Sequence, residues 1–306
     1  MQSQNEKIEI LIVGATGRLG SLITKHTLTN PKLNVNILIR NPQKNPDLVA
    51  SVEKAGGKVL TGDLGEPESL KDKTKGMHTV ISASSQMDEK IALHGQIALI
   101  DECVRSGVER FVPSDFAENL YAFPREELAQ YTAIEYNLKV LDYAKKSPMK
   151  TLHFWPGLFV DSFFELHRTD YGYWGNKEHR YDLTTYEDTA RYVSAAVSQK
   201  DRTGDLFFSA NDYNIDEITE IYNRVRGTSI TPKQYGTLED LRKKYEEEKK
   251  KSGESFPTVL LSIYLLIYDD RCKFDKTNNH EFPEIKPLTV EEYLVQNPHV
   301  KLPSSA

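Results

Sequence analysis

Cysteine is nearly absent: Cys103 and Cys272 are the only two in 306 residues. Two thiols so far apart make no disulfide framework, and a reduced, cytoplasmic setting is expected. Nor is there an apolar run near the ~20 residues needed to cross a bilayer; the longest, Val259 to Tyr268, is broken by Ser262. The polar start, Met1 to Lys7, passes directly into an apolar stretch, so neither a signal peptide nor a transit segment is expected. A basic excess is missing too. Lys and Arg number 39 against 45 Asp and Glu, a formal charge of −6, and no basic cluster is interleaved with aromatics, so nucleic acid is not an expected partner. The mixed-sign run Arg242 to Lys251 reads as a solvated helix face. The eight histidines show no His-x-x-x-His pair and no neighbouring cysteine, which leaves a metal without ligands. A Gly-x-Ser-x-Gly elbow, internal repeats and low-complexity tracts are likewise absent. The length allows one large domain or two modest ones.

What is present begins with Ile10-Leu11-Ile12-Val13-Gly14-Ala15-Thr16-Gly17-Arg18-Leu19-Gly20. An apolar, branched run breaks into three glycines spaced three apart and resumes at Ser21 with helical character, which reads as strand, tight turn and helix. Such a turn is a phosphate cradle: Gly14 allows the sharp exit, Gly17 lets backbone amides approach a pyrophosphate, and Gly20 lets the helix pack on the sheet. The next strand, Val35 to Arg40, ends in Arg40-Asn41-Pro42-Gln43-Lys44. An acidic residue there would accept from an adenosine ribose diol; Arg40, helped by Lys44, instead offers a positive fork for a 2′-phosphate. NADP(H) is therefore the expected cofactor.

Strand and helix then alternate. Pro46 to Ala55 reads as a helix capped by Asn45, Gly57 to Leu64 as a third strand and turn, and His78 to Ala83 as a fourth strand. Asp63 has two readings, one near an adenine and one as a cap for the residues after it. The fourth strand exits through Ser82, Ala83, Ser84, Ser85 and Gln86, at the end of an open α/β sheet where ligands lie. A helix from Glu89 to Ser106 carries Gln96; Val108 to Phe116 is a fifth strand with a polar exit at Ser114 and Asp115; Ala129 to Lys146 is a helix and Thr151 to Trp155 a strand leaving through Phe159. Six alternations with crossover-length connections imply a doubly wound parallel sheet. Beyond Phe159 the rhythm changes to an aromatic-rich stretch, Phe163 to Gly175, suited to core packing or a substrate lining, and to short strands and capped helices starting near Thr185 and Asn214. The expected architecture is α/β: a Rossmann-type domain over residues 1–157 and a smaller α+β substrate domain over 158–306, some of whose segments return to the first.

Several segments together resemble the NmrA-like branch of atypical short-chain dehydrogenases. Within it the resemblance is to the isoflavone reductase-like group, which includes pinoresinol-lariciresinol and phenylcoumaran benzylic ether reductases. The matching pieces are Gly14 to Gly20, Leu38-Ile39-Arg40, Gly62-Asp63-Leu64 with Ser69-Leu70, Val80-Ile81-Ser82, Gly107 to Phe116, and Glu281 to Leu294. The resemblance implies NADP(H), held by Gly14, Thr16, Gly17, Arg18, Leu19, Gly20, Arg40, Lys44, Ser82, Ala83, Ser84, Gln96 and Phe159. It also implies a catalytic lysine early in the helix after the serine-aspartate loop. Laying Val140, Tyr143 and Ala144 on the family's buried stripe without gaps puts Asn137 at that place. Lys139 fits only with a two-residue shift, which swings a side chain by about 200° around a helix, so the two placements exclude one another. A lysine near a nicotinamide cation can exchange a proton near neutral pH; asparagine only orients. The Tyr-x-x-x-Lys pairing of ordinary short-chain dehydrogenases is missing, Tyr136 being followed by Val140 and Tyr131 by Glu135. Two functions are expected of such a chain. One is an NADPH-dependent reductase of a small aromatic or conjugated substrate; the other is a non-catalytic NADP(H)-responsive regulator that binds a protein partner.

Overall fold

A computed structural model of the chain describes residues 7–85 and 88–303. Contacts divide it into two compact units. The first holds the residues up to Asp115, Ala133–Phe154 and Thr189–Leu206; the second holds Phe116–Thr132, Trp155–Asp188 and the residues from Phe207 onward.

The first unit starts with β1 (Ile8–Val13), an almost continuous apolar run, as a strand covered on both faces must be. It turns into α1 (Arg18–Leu28), whose last turn carries Lys25 and His26 at the negative helix end. β2 (Leu33–Ile39) follows, then α2 (Pro46–Lys54), with Pro46 where a missing N–H is no loss. Asn45 stands at the cap position, but its amide donates to the Asn41 carbonyl rather than capping. β3 (Val59–Thr61) and β4 (Thr79–Ser82) come next. The helix expected from Glu89 opens with a π-helical segment, Lys90–Gly95, before α3 (Gln96–Arg105). A Cβ on Gly95 would lie 2.5 Å from the Leu64 carbonyl oxygen, so the widened turn runs hard against the loop after β3. β5 (Arg110–Val112) ends this stretch.

A short α4 (Arg125–Leu128) lies in the second unit, and α5 (Thr132–Lys146) with β6 (Lys150–Trp155) brings the chain back to the first. The second unit resumes with β7 (Leu158–Phe159), α6 (Val160–Leu166), β8 (Gly172–Trp174) and β9 (Arg180–Thr184). α7 (Tyr186–Val197) and β10 (Gly204–Phe207) return largely to the first unit. The rest is β11 (Asn211–Asn214), α8 (Ile215–Arg226), β12 (Lys233–Gly236), α9 (Leu238–Ser252), α10 (Phe256–Ile267) and α11 (Val290–Gln296). α8 starts where Asn214 and Glu217 form a reciprocal capping box. No described helix is long and apolar enough to cross a membrane.

The main sheet has the order β10-β6-β5-β4-β1-β2-β3. β1 pairs in parallel with β2 and β4, β2 with β3, β4 with β5, and β5 with β6. The order reverses between β1 and β4, whose carboxyl ends meet at Val13 and Ser82; in such sheets the crevice at this reversal is where ligands bind. Its core packs Leu11, Val13, Val80 and Phe111 against Ile100, Cys103, Val140 and Ala144. Arg110 is the exception that explains itself. It is fully buried, and its guanidinium donates to the carbonyls of Val197, Gln199, Lys200 and Arg202 and to the Thr79 hydroxyl. It thereby satisfies carbonyls at and beyond the open end of α7, and burial pulls its pKa down to about 10.

In the second unit, β11 pairs antiparallel with β9, β9 parallel with β7, and β12 parallel with β8. The aromatic stretch noted in the sequence builds its interior: Phe163, Phe164, Tyr171 and Trp174 are buried. The His167 ring bridges the Phe163 and Gly172 carbonyls. Most of the Arg242 to Lys251 run lies at the surface of α9, which buries Leu241 and Tyr245.

Candidate functional site

The turn after β1 is shaped by what its glycines lack. Gly14 has φ +86°, and a Cβ there would come within 2.4 Å of the Ala83 carbonyl oxygen. A Cβ on Gly20 would lie 2.1 Å from the Gly14 carbonyl oxygen. Neither position has room for a side chain. Gly17 caps α1 in an extended conformation and donates its N–H to Gly14 across 2.9 Å. The result is a backbone loop closed on β4, with the amide end of an eleven-residue helix directly behind it.

A cavity of 220 Å³ opens beside this loop. Of the residues singled out in the sequence, Gly14, Thr16, Gly17, Arg40, Ala83 and Ser84 line it. Arg40 is exposed at the end of β2 and forms no ion pair among the described residues. Asp63 also lines the cavity, while its Oδ1 accepts from the Gly65 N–H at 2.9 Å, so it both faces the space and shapes its own turn. Sequence reasoning passed over Leu38, Leu64 and Ile91, which give the cavity apolar walls. No signal in the sequence set them apart from core residues.

Other candidates lie outside the lining. Arg18 is exposed on the first turn of α1, Leu19 half-buried and Gly20 buried beneath the loop. Lys44 is exposed at the end of a 3₁₀ turn, Pro42–Lys44. Ser82 is fully buried, its Oγ 3.2 Å from that of Ser84. Gln96 is fully buried and stitches elements together: Nε2 donates to the Ala92 carbonyl at 3.0 Å, and Oε1 accepts from the Ser114 N–H at 3.2 Å. Gln86 lies outside the described residues. Phe159 belongs to the second unit, where its ring stacks on Tyr186 with centroids 4.0 Å apart.

On α5 the two competing side chains occupy different environments. Lys139 is 47% exposed and pairs with Glu135, one turn back, at 2.9 Å. Asn137 is half-buried, and its Oδ1 is buried without a hydrogen-bond partner. Val140 and Ala144 join the core, but Tyr143, placed with them on the buried stripe, is 39% exposed. Its hydroxyl donates to Asp101 at 2.6 Å, and that polar tip turns the ring outward. Among the described residues no group of three or more His, Cys, Asp or Glu side chains is arranged to hold a metal ion.

The model of the NmrA-like family matches residues 6–294. Photosystem II assembly factor Ycf39 of Guillardia theta is 33% identical over 111 residues, 34% of this chain and 34% of that protein, so the chain covers about a third of that relative. Phenylcoumaran benzylic ether reductase Betv6 of Betula pendula is 23% identical over 316 residues, covering 95% of this chain and 98% of that one. Leucoanthocyanidin reductase from Vitis vinifera, in its binary complex with NADPH, aligns with a TM-score of 0.75 at 18% identity, over 94% of this chain and 98% of that one. The structural likeness is one of fold. Matched along nearly its whole length, the chain belongs to the NmrA-like family.

Proposed function

We propose that the protein is an NADPH-dependent reductase of a small aromatic or conjugated organic substrate. Arg40 carries the cofactor half of this reading: an exposed guanidinium on the cavity wall, without an ion pair among the described residues, at the end of the strand after the glycine turn. A fork of that kind suits a 2′-phosphate and leaves a ribose diol without an acceptor. The backbone N–H groups at the start of α1 suit the pyrophosphate, since the positive helix end and the missing Cβ atoms let it come close. Leu38, Leu64 and Ile91 suit the adenine. When bound, the nicotinamide supplies a hydride. The substrate class rests on the family resemblance to reductases of benzylic ethers and leucoanthocyanidins.

Asn137 orients rather than moves a proton, because an amide has no proton to give near neutral pH. Its buried, unmatched Oδ1 is suited to accept from a hydroxyl or amide of what binds there. The proton that balances the hydride then comes from water, with Lys139 left in its surface pair. Both free thiols are buried, which suits a cytoplasmic protein.

The same residue favours a second reading, a non-catalytic NADP(H)-responsive regulator that binds a protein partner. The two differ in turnover. A reductase consumes NADPH with some member of a panel of conjugated ketones and benzylic ethers; a regulator binds it unconsumed and separates the reduced from the oxidised form. The cofactor assignment has its own test in Arg40→Ala. NADPH affinity is expected to fall about 10- to 100-fold, the worth of a charge-assisted hydrogen bond, while NADH affinity stays near its wild-type value. Equal losses for both would overturn the assignment.

A further inference from the structure

Asp115 follows the carboxyl end of β5 and His153 lies in β6, strands paired in parallel. Their side chains meet with Nδ1 2.6 Å from Oδ2 and are 2% and 1% exposed respectively. A contact that short between groups withdrawn from water is charge-assisted. The other carboxylate oxygen, Oδ1, is buried without a hydrogen-bond partner. Burial pushes the Asp115 carboxyl upward against the pull of His153, and Asp205 on β10 adds a like charge; these are the charged groups acting on it. The neighbouring residue, Ser114, reaches the cavity by two routes. Its Oγ donates to the Ser84 carbonyl at 2.9 Å, and its N–H donates to Gln96, whose amide holds the Ala92 carbonyl. Ser84 lines the cavity directly, and Ile91, next to Ala92, lines it from the π-helical segment.

We propose that Asp115 and His153 are positioning residues of the dinucleotide cavity, acting through Ser114 on the Ser84 and Ile91 walls, and that a second proton on the pair loosens nucleotide binding. The inference rests on the cavity being a dinucleotide site. With one proton between them the two groups are neutral overall, and Nδ1–H donates to Oδ2. A second proton leaves an imidazolium facing a carboxylic acid. That adds a net positive charge in a dry place and an O–H on the oxygen that has no partner, both unfavourable. The backbone at Asp115 is then free to shift, and Ser114 shifts with it. The nucleotide therefore binds the singly protonated pair better. Its affinity falls as pH falls, and by linkage the bound nucleotide opposes uptake of the second proton.

The test is NADPH affinity from about pH 8 to about pH 5.5, a range in which folded proteins are ordinarily stable, for the wild type, His153→Gln and Ser114→Ala. His153→Gln keeps a donor for Asp115 and abolishes the step to a net positive pair. The 2′-phosphate of NADPH also titrates in this window, but equally for every variant, so the readout is the ratio of wild-type to variant affinity at each pH. The ratio to His153→Gln is expected to fall about tenfold across the window. In Ser114→Ala the ¹³C resonance of the Asp115 carboxyl still reports uptake of the second proton, while affinity no longer follows it. Parallel curves for wild type and His153→Gln would overturn the inference alone, and full pH dependence in Ser114→Ala would overturn the route through Ser114. A wild type that binds no NADPH at any pH overturns the dinucleotide reading and the inference with it.

Discussion

The turn from Gly14 to Gly20 and the stretch of α5 from Ala133 to Lys146 both carry candidate ligand contacts in the first unit, and they are built on opposite plans. The turn works through absent side chains. Its shape follows from a positive φ at Gly14 and from two places where a Cβ would meet a carbonyl oxygen at 2.4 Å and 2.1 Å. The helix works through one side chain on a scaffold that accepts many. Ile134, Leu138, Val140, Leu141 and Ala144 bury it, and almost any residue fits between them. Sterics tie the first plan to a sequence pattern, whereas the second is tied only to a register.

Breaking the turn is expected to have the largest effect. Gly14→Ala meets both the strained φ and the Ala83 carbonyl, Gly20→Ala the Gly14 carbonyl. Each is expected to lose stability, Gly14→Ala by about 3 kcal/mol or more, from backbone strain and overpacking together, as read by denaturant unfolding. Gly17→Ala separates fold from binding. Its φ is ordinary, −76°, and a new Cβ would come 3.3 Å from the Gly14 carbonyl oxygen, a tight contact but far milder than those at Gly14 and Gly20. A stability loss much smaller than that of Gly14→Ala, with weakened NADPH binding, is the expected result; unchanged binding would show that no ligand backs onto this turn.

The same contrast explains what was legible in the sequence. The parallel sheet was, because strand and helix alternate with connections long enough for crossovers, and β1 and β2 end in the unbroken apolar runs Ile10 to Val13 and Ile37 to Ile39. Gly14, Gly17 and Arg40 were, because a strand, a turn and a strand end fix their places in space. The apolar walls Leu38, Leu64 and Ile91 were hidden among ordinary core residues, since nothing in the alphabet separates a leucine that faces a cavity from one that faces a helix. Gln96 shows the reverse: a polar residue in a helix near the site invites a ligand, yet its hydrogen bonds run to Ala92 and Ser114. Arg110 could not be anticipated, because its partners lie some ninety residues further along the chain. Tyr143 misled because a ring with a polar tip satisfies a buried stripe and an exposed one equally well.

Asn137→Leu sharpens the comparison from the helix side, with an intermediate effect. Removing a buried acceptor that has no partner is expected to stabilise the nucleotide-free protein by about 1 kcal/mol, aided by the better helix propensity of leucine. Thermal unfolding checks this. If Asn137 orients a ligand, the same variant loses turnover with any substrate the wild type reduces, a trade of function for stability. A variant both less stable and fully active would place Asn137 in the scaffold instead.

Lys139→Ala has the smallest expected effect and decides the register. The pair with Glu135 is exposed on one side and spans a single helical turn, a contact worth about 0.3–0.5 kcal/mol that salt screens further. NADPH consumption is expected to continue at the wild-type rate, with unfolding shifted by no more than that pair. A large loss of turnover with stability intact would mean that Lys139, not Asn137, meets the reacting atoms. Because a residue two places along a helix points about 200° away, the two residues cannot meet the same atoms, and that outcome would exclude Asn137 from the reacting side of the helix. With Val140 and Ala144 held in the core, α5 keeps its register, and Asn137 would then belong to the scaffold.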